Sequence, residues 1–249
     1  MGAYAGSVFD HVTLRVSQLA RSKEFYDLAF RTLDFAGTAF GDEHGLEWND
    51  FSMYEGAPLT RRLHVGFAAP SRDHVDAFWR TLVDAGHPDD GAPGPRPQYR
   101  PDYYGAFVLD PDGNSVEAVH HDDVRQDEGV IDHLWLRVRS VTDSKRFYST
   151  VAPVLGFQLR KDDPDWIGYR GTGASCSFVS GDEPTANVHL AFPVAEDATV
   201  REFHRVALAA GYRDNGAPGE RPQYHPGYYG AFVLDPDGNN VEAVNHHRD

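Results

Sequence analysis

Hydrophobic and polar positions change period along the chain in a recurring order. Val12, Leu14 and Val16 alternate with His11, Thr13 and Arg15, a period of two that predicts a strand with one buried and one polar face. Phe25, Tyr26, Ala29, Phe30 and Leu33 follow at helical spacing, with Ser17 placed to cap the start. Short strands are predicted over Leu46 to Trp48 and Phe51 to Tyr54. The order then restarts: Leu63, Val65 and Phe67 alternate with His64, Gly66 and Ala68. Ser71 opens a helix carrying Val75, Phe78, Trp79, Leu82 and Val83, and Gly86 ends it. Tyr103 to Leu109 and Ser115 to Val119 flank Asp110-Pro111-Asp112-Gly113-Asn114, whose turn-forming residues make the pair a hairpin.

The whole plan occurs twice. Residues 91–119, GAPGPRPQYRPDYYGAFVLDPDGNSVEAV, return as residues 216–244, GAPGERPQYHPGYYGAFVLDPDGNNVEAV, with four differences in 29 positions. Upstream, Asp10-His11-Val12 matches Asp132-His133-Leu134, and Leu63-His64-Val65 matches Val188-His189-Leu190. The second copy's helices carry Phe147, Tyr148, Val151 and Leu155, ended by Gly156, then Val200, Phe203, Ala207 and Ala210, ended by Gly211. The chain reads as a tandem duplication of α+β domains, each of two modules: the first over 1–121, a charged linker over 122–129 and the second over 130–249.

Composition narrows the partners. With 41% hydrophobic and 24% charged residues in 249, the chain is globular rather than disordered or fibrous. A formal charge of -15 repels phosphate backbones and anionic lipid, so neither nucleic acid nor membrane is an expected partner, and a small molecule is. No apolar run approaches the roughly 18 residues that cross a bilayer, and the start MGAYAGSVFD lacks the basic-then-apolar pattern of a leader, so a cytoplasmic location is expected. Lys23, Lys145 and Lys161 are the three lysines, leaving most positive charge to arginine, whose planar fork suits anionic ligands. Cys176, the single cysteine, forms no internal disulfide or thiolate cluster, so any metal must be held by nitrogen and oxygen.

Three ligand-type side chains occupy matching places in each copy: His11, His64 and Glu117 in the first, His133, His189 and Glu242 in the second. By alternation, His11 shares its strand face with Thr13 and Arg15, and His64 with Gly66 and Ala68, so these faces line a cavity rather than a core. Two imidazoles and a carboxylate on one side of a first-row ion leave positions open for water or substrate. The pattern leaves open whether each set is completed within one copy or by exchange, with His11 joining His189 and Glu242.

The D-H-V and D-H-L starts, the L-H-V-x-F and V-H-L-x-F centres and the F-V-L-D-P-D-G-N-x-V-E-A-V ends together resemble the vicinal oxygen chelate superfamily. That superfamily holds glyoxalase I, extradiol dioxygenases, fosfomycin-resistance transferases, methylmalonyl-CoA epimerase and bleomycin-resistance proteins. The resemblance covers nearly the whole chain and implies paired βαβββ modules forming a cup-shaped mixed sheet around a metal. It further implies a divalent ion (iron(II), manganese, nickel or zinc) that polarises vicinal oxygens of a small oxygen-rich substrate and stabilises an enolate or other anion. A metal-free cup that sequesters a drug or natural product, as in bleomycin-resistance proteins, is the alternative.

The sequence departs from individual members. The fourth ligand of glyoxalase I and the epimerase falls at Ser52 and Ser177, although Glu47 and Glu55 lie near Ser52. Against the extradiol pattern His225 is present, as general base or loop cap, but Phe232 replaces the tyrosine, and the first copy has Arg100 and Phe107. His225 against Arg100 favours the second copy as the working one. Arg15, Arg137 and Trp135 on the polar strand faces, with Arg96, Tyr99, Arg221 and Tyr224 on the Pro-rich loops 91–104 and 216–229, are the candidate substrate contacts. Those loops also read as rigid polyproline connections whose Tyr103, Tyr104, Tyr228 and Tyr229 pack on the sheet. Cys176 is expected to be a packed thiol, and His120-His121 and His246-His247 to be solvated strand ends. Homo-oligomerisation is left open, since pairing within the chain suffices.

Overall fold

A computed structural model describes residues 8–35, 40–122, 129–171 and 173–247. Of the linker expected over 122–129, residues 123–128 lie outside the described residues. The first half carries β1 (His11–Val16), α1 (Leu19–Thr32), β2 (Phe40–Gly41), β3 (Gly45–Trp48), β4 (Phe51–Glu55), β5 (Leu63–Ala68), α2 (Arg72–Asp84), β6 (Asp89–Pro95), β7 (Tyr104–Leu109) and β8 (Ser115–His120). The second half carries β9 (Ile131–Val138), α3 (Val141–Leu155), β10 (Gln158–Asp163), β11 (Trp166–Arg170), β12 (Ser175–Ser180), β13 (His189–Pro193), α4 (Asp197–Ala209), β14 (Arg213–Glu220), β15 (Tyr229–Leu234) and β16 (Asn240–Asn245). The fold is α+β, with two mixed sheets of eight strands. Among the described residues no helix is long and apolar enough to cross a membrane.

By internal contacts the chain divides into two compact units. One is Thr13–Trp135, here the early unit; the other, the late unit, is Met1–Val12 with Leu136–Asp249. The early unit orders four strands β5-β8-β7-β6, and the late unit orders their counterparts β13-β16-β15-β14. In each run the first pair is parallel and the rest antiparallel. Helices cover one face of these strands: Val75, Phe78 and Leu82 of α2 and Val200, Phe203 and Ala207 of α4 are buried.

Local chemistry departs from the sequence reading at three points. Ser17 does not cap α1. Gln18 holds the cap position without a side-chain bond, Ser17 N–H donates to Asp112 Oδ2 at 2.9 Å, and Glu55 Oε2 accepts from Leu19 N–H at 2.7 Å. A carboxylate from β4 therefore supplies both the acceptor and the negative charge that a helix start favours. Ser71 stands at the cap of α2, but its hydroxyl bonds His74 Nδ1 instead of the backbone. The loops 91–104 and 216–229, read as polyproline connections, begin as strands β6 and β14 paired to β7 and β15. Both lie at a sheet edge, where a proline interrupts no ladder on the open side, and register shifts at Gly91–Gly94 and Gly216–Gly219 absorb the misfit.

The D-P-D-G-N turn is structural. Asp110 Oδ1 accepts from the N–H groups of Asp112 and Asn114, and its Oδ2 from Tyr26 Oη of α1 and Asn114 Nδ2. Asn114 Oδ1 in turn accepts from Leu63 N–H at the start of β5. Asp235, Asn239, Tyr148 and Val188 repeat the arrangement in the late unit. One buried knot thus ties the hairpin to a helix and to the parallel strand, and sets the register of β8 and β16. Asn114 is fully buried, so Asn114→Ala leaves several backbone and carboxylate groups without partners and should cost about 2 to 4 kcal/mol. The denaturant midpoint of the early unit checks this.

Candidate metal centres

The parallel register fixes the site. His64 on β5 faces Ser115 of β8, so Glu117, two residues on, shares its face. His189 on β13 likewise faces Asn240 of β16, and Glu242 shares its face. The third side chain comes from the neighbouring copy in sequence: His133 from β9 joins His64 and Glu117, and His11 from β1 joins His189 and Glu242. The exchange left open by the sequence is therefore the arrangement found. Each set lies within one compact unit.

In the early unit His64 Nε2 lies 3.0 Å from Glu117 Oε2 and 3.2 Å from His133 Nε2, and His133 Nε2 lies 3.2 Å from the same oxygen. In the late unit His11 Nε2 and His189 Nε2 are 3.0 Å apart, and Glu242 Oε2 is 3.0 Å from His189 Nε2 and 3.8 Å from His11 Nε2. Both glutamates are 1% exposed. Glu242 Oε2 is close to His189 but has no hydrogen bond of acceptable geometry. A carboxylate oxygen facing two imidazole nitrogens could hold a divalent ion. Two donors about 2.1 Å from a common ion lie about 3.0 to 3.4 Å apart at ordinary bond angles, matching the closest separations here.

Side chains outside each set aim it. Tyr103 Oη donates to Glu117 Oε1 at 2.8 Å and Tyr228 Oη to Glu242 Oε1 at 2.7 Å, leaving Oε2 of each as the inward oxygen. A Cβ at Gly105 would stand 2.3 Å from Glu117 Oε1, one at Gly230 2.5 Å from Glu242 Oε1, and one at Gly66 2.2 Å from His133 Cε1, so a side chain at any of the three would displace a group of the set. Asp132 Oδ2 holds His133 Nδ1 at 2.9 Å and Asp10 Oδ1 holds His11 Nδ1 at 2.8 Å, turning Nε2 inward. Behind these stand His121 on Asp132 at 3.1 Å and His246 on Asp10 at 2.8 Å. His121 and His246, read from sequence as solvated strand ends, are instead tied to these aspartates, and Tyr103 and Tyr228 do more than pack. The D-H dipeptide and the repeated Tyr-Tyr were the available signals.

Burial and neighbouring charges balance differently at one histidine of each set. Burial opposes ionisation of Glu117, yet hydrogen bonds from His133 and His64 hold it below the ordinary carboxylate range. Burial likewise opposes a charged His133, but Asp132 and Glu117 outweigh it and push it up to about 10. At His189 burial prevails over Glu242, and the imidazole falls below its usual value.

The remaining candidates lie around the sets. Trp135 stands edge-on to His64 at 6.4 Å and to Tyr99 at 5.5 Å. Phe107 and Phe232 pair across the strands with Glu117 and Glu242. Arg96 and Arg221 lie over these rings at 5.4 Å and bond Ala92 O and Ala217 O. Tyr99 and Tyr224 are 43% and 58% exposed. Arg15 and Arg137 have exposed side chains. His225 is in neither set and bonds His246. Of the alternative fourth ligands, Glu55 is engaged at the start of α1, Glu47 lies 3.5 Å from Tyr54 Oη, and Ser52 bonds Thr13. The Cys176 thiol is buried and raised by that burial, as a packed thiol should be.

No functionally curated protein matches the sequence. Among solved structures, glyoxalase I from Zea mays shares 20% identity over 96% of this chain and 92% of its own, with a TM-score of 0.65. A proposed dioxygenase from Bacillus subtilis shares 13% over 98% and 86%, also at 0.65. At such identities the likeness is one of fold. The family profile described as the glyoxalase/bleomycin resistance protein/dioxygenase superfamily matches residues 8–118 and again 130–243. The chain belongs to that superfamily, as a member with two tandem glyoxalase-type domains.

Proposed function

We propose that the protein is a divalent-metal-dependent enzyme of the glyoxalase or dioxygenase type acting on a small oxygen-rich molecule, with His11, His189 and Glu242 holding one ion and His64, His133 and Glu117 another. The buried Glu242 Oε2 carries this reading: it lies 3.0 Å from His189 Nε2 without a hydrogen bond of acceptable geometry, and a carboxylate oxygen so placed in the protein interior is costly unless a cation meets it. Iron(II), manganese, nickel and zinc all suit two nitrogens and one carboxylate oxygen. The ion would supply Lewis acidity, favouring negative charge on substrate oxygens.

The chain's own residues would do the rest. Tyr103 and Tyr228 fix the glutamates, and Phe107 and Phe232 keep that side of each site apolar. Trp135, Tyr99 and Tyr224 offer faces to a planar substrate, while Arg15, Arg137, Arg96 and Arg221 offer positive charge to an acidic one. His225 reaches the site through His246 and Asp10, so a general-base role would run along that chain rather than by contact.

Metal content tests the reading. Protein made without a histidine tag or added metal, then reconstituted, should hold about two ions per chain, and the Glu117→Ala/Glu242→Ala variant about none. No binding by the unaltered chain after reconstitution with any of the four ions would reject the reading and turn the search to metal-free ligand binding. Tyr103→Phe should weaken the early site about tenfold while circular dichroism stays unchanged, because Glu117 loses the bond to Oε1 that keeps Oε2 turned inward. Uptake should also be unequal. An ion must displace a proton from His133, raised to about 10, whereas His189 is already favoured neutral. Cobalt titration near neutral pH should fill the late site first, with early-site affinity rising about tenfold per pH unit until about 10.

A further inference from the structure

Residues 91–119 and 216–244 differ at four positions, and three of these lie in the hydrogen-bonded surroundings of the ligand sets: Arg100 against His225, Asp102 against Gly227, and Ser115 against Asn240. Ser115 and Asn240 touch the Nδ1 atoms of His64 and His189. The other two differences form a linked exchange at the outer end of the Asp-His chains.

In the early unit Asp102 grips Arg100 through two bonds, Nε to Oδ1 at 2.8 Å and Nη2 to Oδ2 at 3.1 Å, and Arg100 Nη1 lies 3.3 Å from His121 Nδ1. A guanidinium only donates, so His121 Nδ1 accepts, His121 Nε2–H donates to Asp132, and the other oxygen of Asp132 receives His133 Nδ1–H. Every proton in this chain is assigned, and the cation at its end is permanent.

In the late unit His225 Nδ1 lies 2.7 Å from Pro226 O, an acceptor, and His246 Nε2 lies 2.8 Å from Asp10 Oδ2, also an acceptor. Both outer nitrogens must therefore carry protons. Between the stacked rings, His225 Nε2 and His246 Nδ1 are 2.7 Å apart and share one more. Satisfying all three bonds takes three protons on two rings, one positive charge. Other groups facing the pair are Tyr228, edge-on to both rings and bonded to Glu242, Tyr224 packed on Tyr228, and His247, which follows His246 and bonds Asp197.

We infer that Arg100 and His225 are positioning residues that make the two sites unequal: a fixed guanidinium closes the chain behind His133, and a removable proton closes the chain behind His11. Gly227 stands at φ +83, a backbone conformation that Asp102 does not share, so the two loops differ in main chain as well as in side chain.

The inference deepens the metal reading above, and one of its two tests is independent of that reading. In the full chain, Glu117→Ala isolates the late site and Glu242→Ala the early one, and cobalt(II) affinity is measured by chelator competition. His225→Ala should weaken the late site about tenfold. His225→Arg, which supplies a fixed donor and leaves the left-handed Gly227 backbone (φ +83) in place, should restore it. Unchanged late-site affinity in His225→Ala overturns the inference, as does a His225→Arg variant that binds no tighter than His225→Ala. The second test is ring-nitrogen NMR of the unaltered, metal-free chain: three protonated nitrogens across His225 and His246 at about pH 6 support the chain, and two overturn it. Absence of cobalt binding in both isolated sites, with three protons found, would fail the metal reading and leave the inference standing.

Discussion

A carboxylate withdrawn from water has to be met by donors or cations within reach, and the environments of Glu117 and Glu242 follow from that demand. Each sits at 1% exposure, where an unpaired charge would cost several kcal/mol. One oxygen is met by a tyrosine hydroxyl that is itself buried. Room for that contact exists because the facing residue, Gly105 or Gly230, has no side chain. The other oxygen is left to two imidazoles. The same desolvation that makes the position costly makes it a strong place for a divalent ion, because little water competes there.

The sheet delivers this geometry with few adjustable parts. Parallel pairing sets a histidine and a glutamate two residues out of step on one face, and the buried Asp-Asn turn fixes the register that keeps them there. A slip of one residue would turn Glu117 toward the helices and break its bonds to Tyr103 and His64 together. The motif that identifies the superfamily is thus a register device, which explains why it speaks for the fold and says little about the reaction.

Much of this was legible in the sequence, and the gaps have physical causes. Alternation exposed the histidine strands because a half-buried strand must alternate, and the duplication exposed the six ligand-type residues by correspondence. Which copy supplies the third histidine was not legible, because strand exchange leaves the local pattern of β1 and β9 unchanged. Ser17 misled because the capping acceptor, Glu55, comes from a strand 36 residues after the Leu19 N–H it accepts from. His121 and His246 looked solvated because they end strands, a position that in most sheets faces water. The loops 91–104 and 216–229 concealed β6 and β14 because proline and glycine argue against strands except at edges, and edge position is a tertiary property.

Differences between the two sites must arise beyond the ligands, since His, His and Glu are common to both. The early unit packs His133 against Gly66 and places Trp135 beside His64, with Tyr99 against Trp135. In the late unit Ala191 takes the strand position of Gly66 opposite the glutamate. Asp132 together with Glu117 raises His133, while burial lowers His189. A ligand's basicity governs how strongly it donates and how readily a proton competes for it. Two sites of nearly identical shape can therefore differ in occupancy and chemistry through neighbours that never touch the ion. Within the near-identical stretches 91–119 and 216–244, three of the four differences fall at Arg100, Asp102 and Ser115 and their counterparts, the pattern expected when the glutamate and its tyrosine are fixed by geometry and the contacts around them carry the tuning.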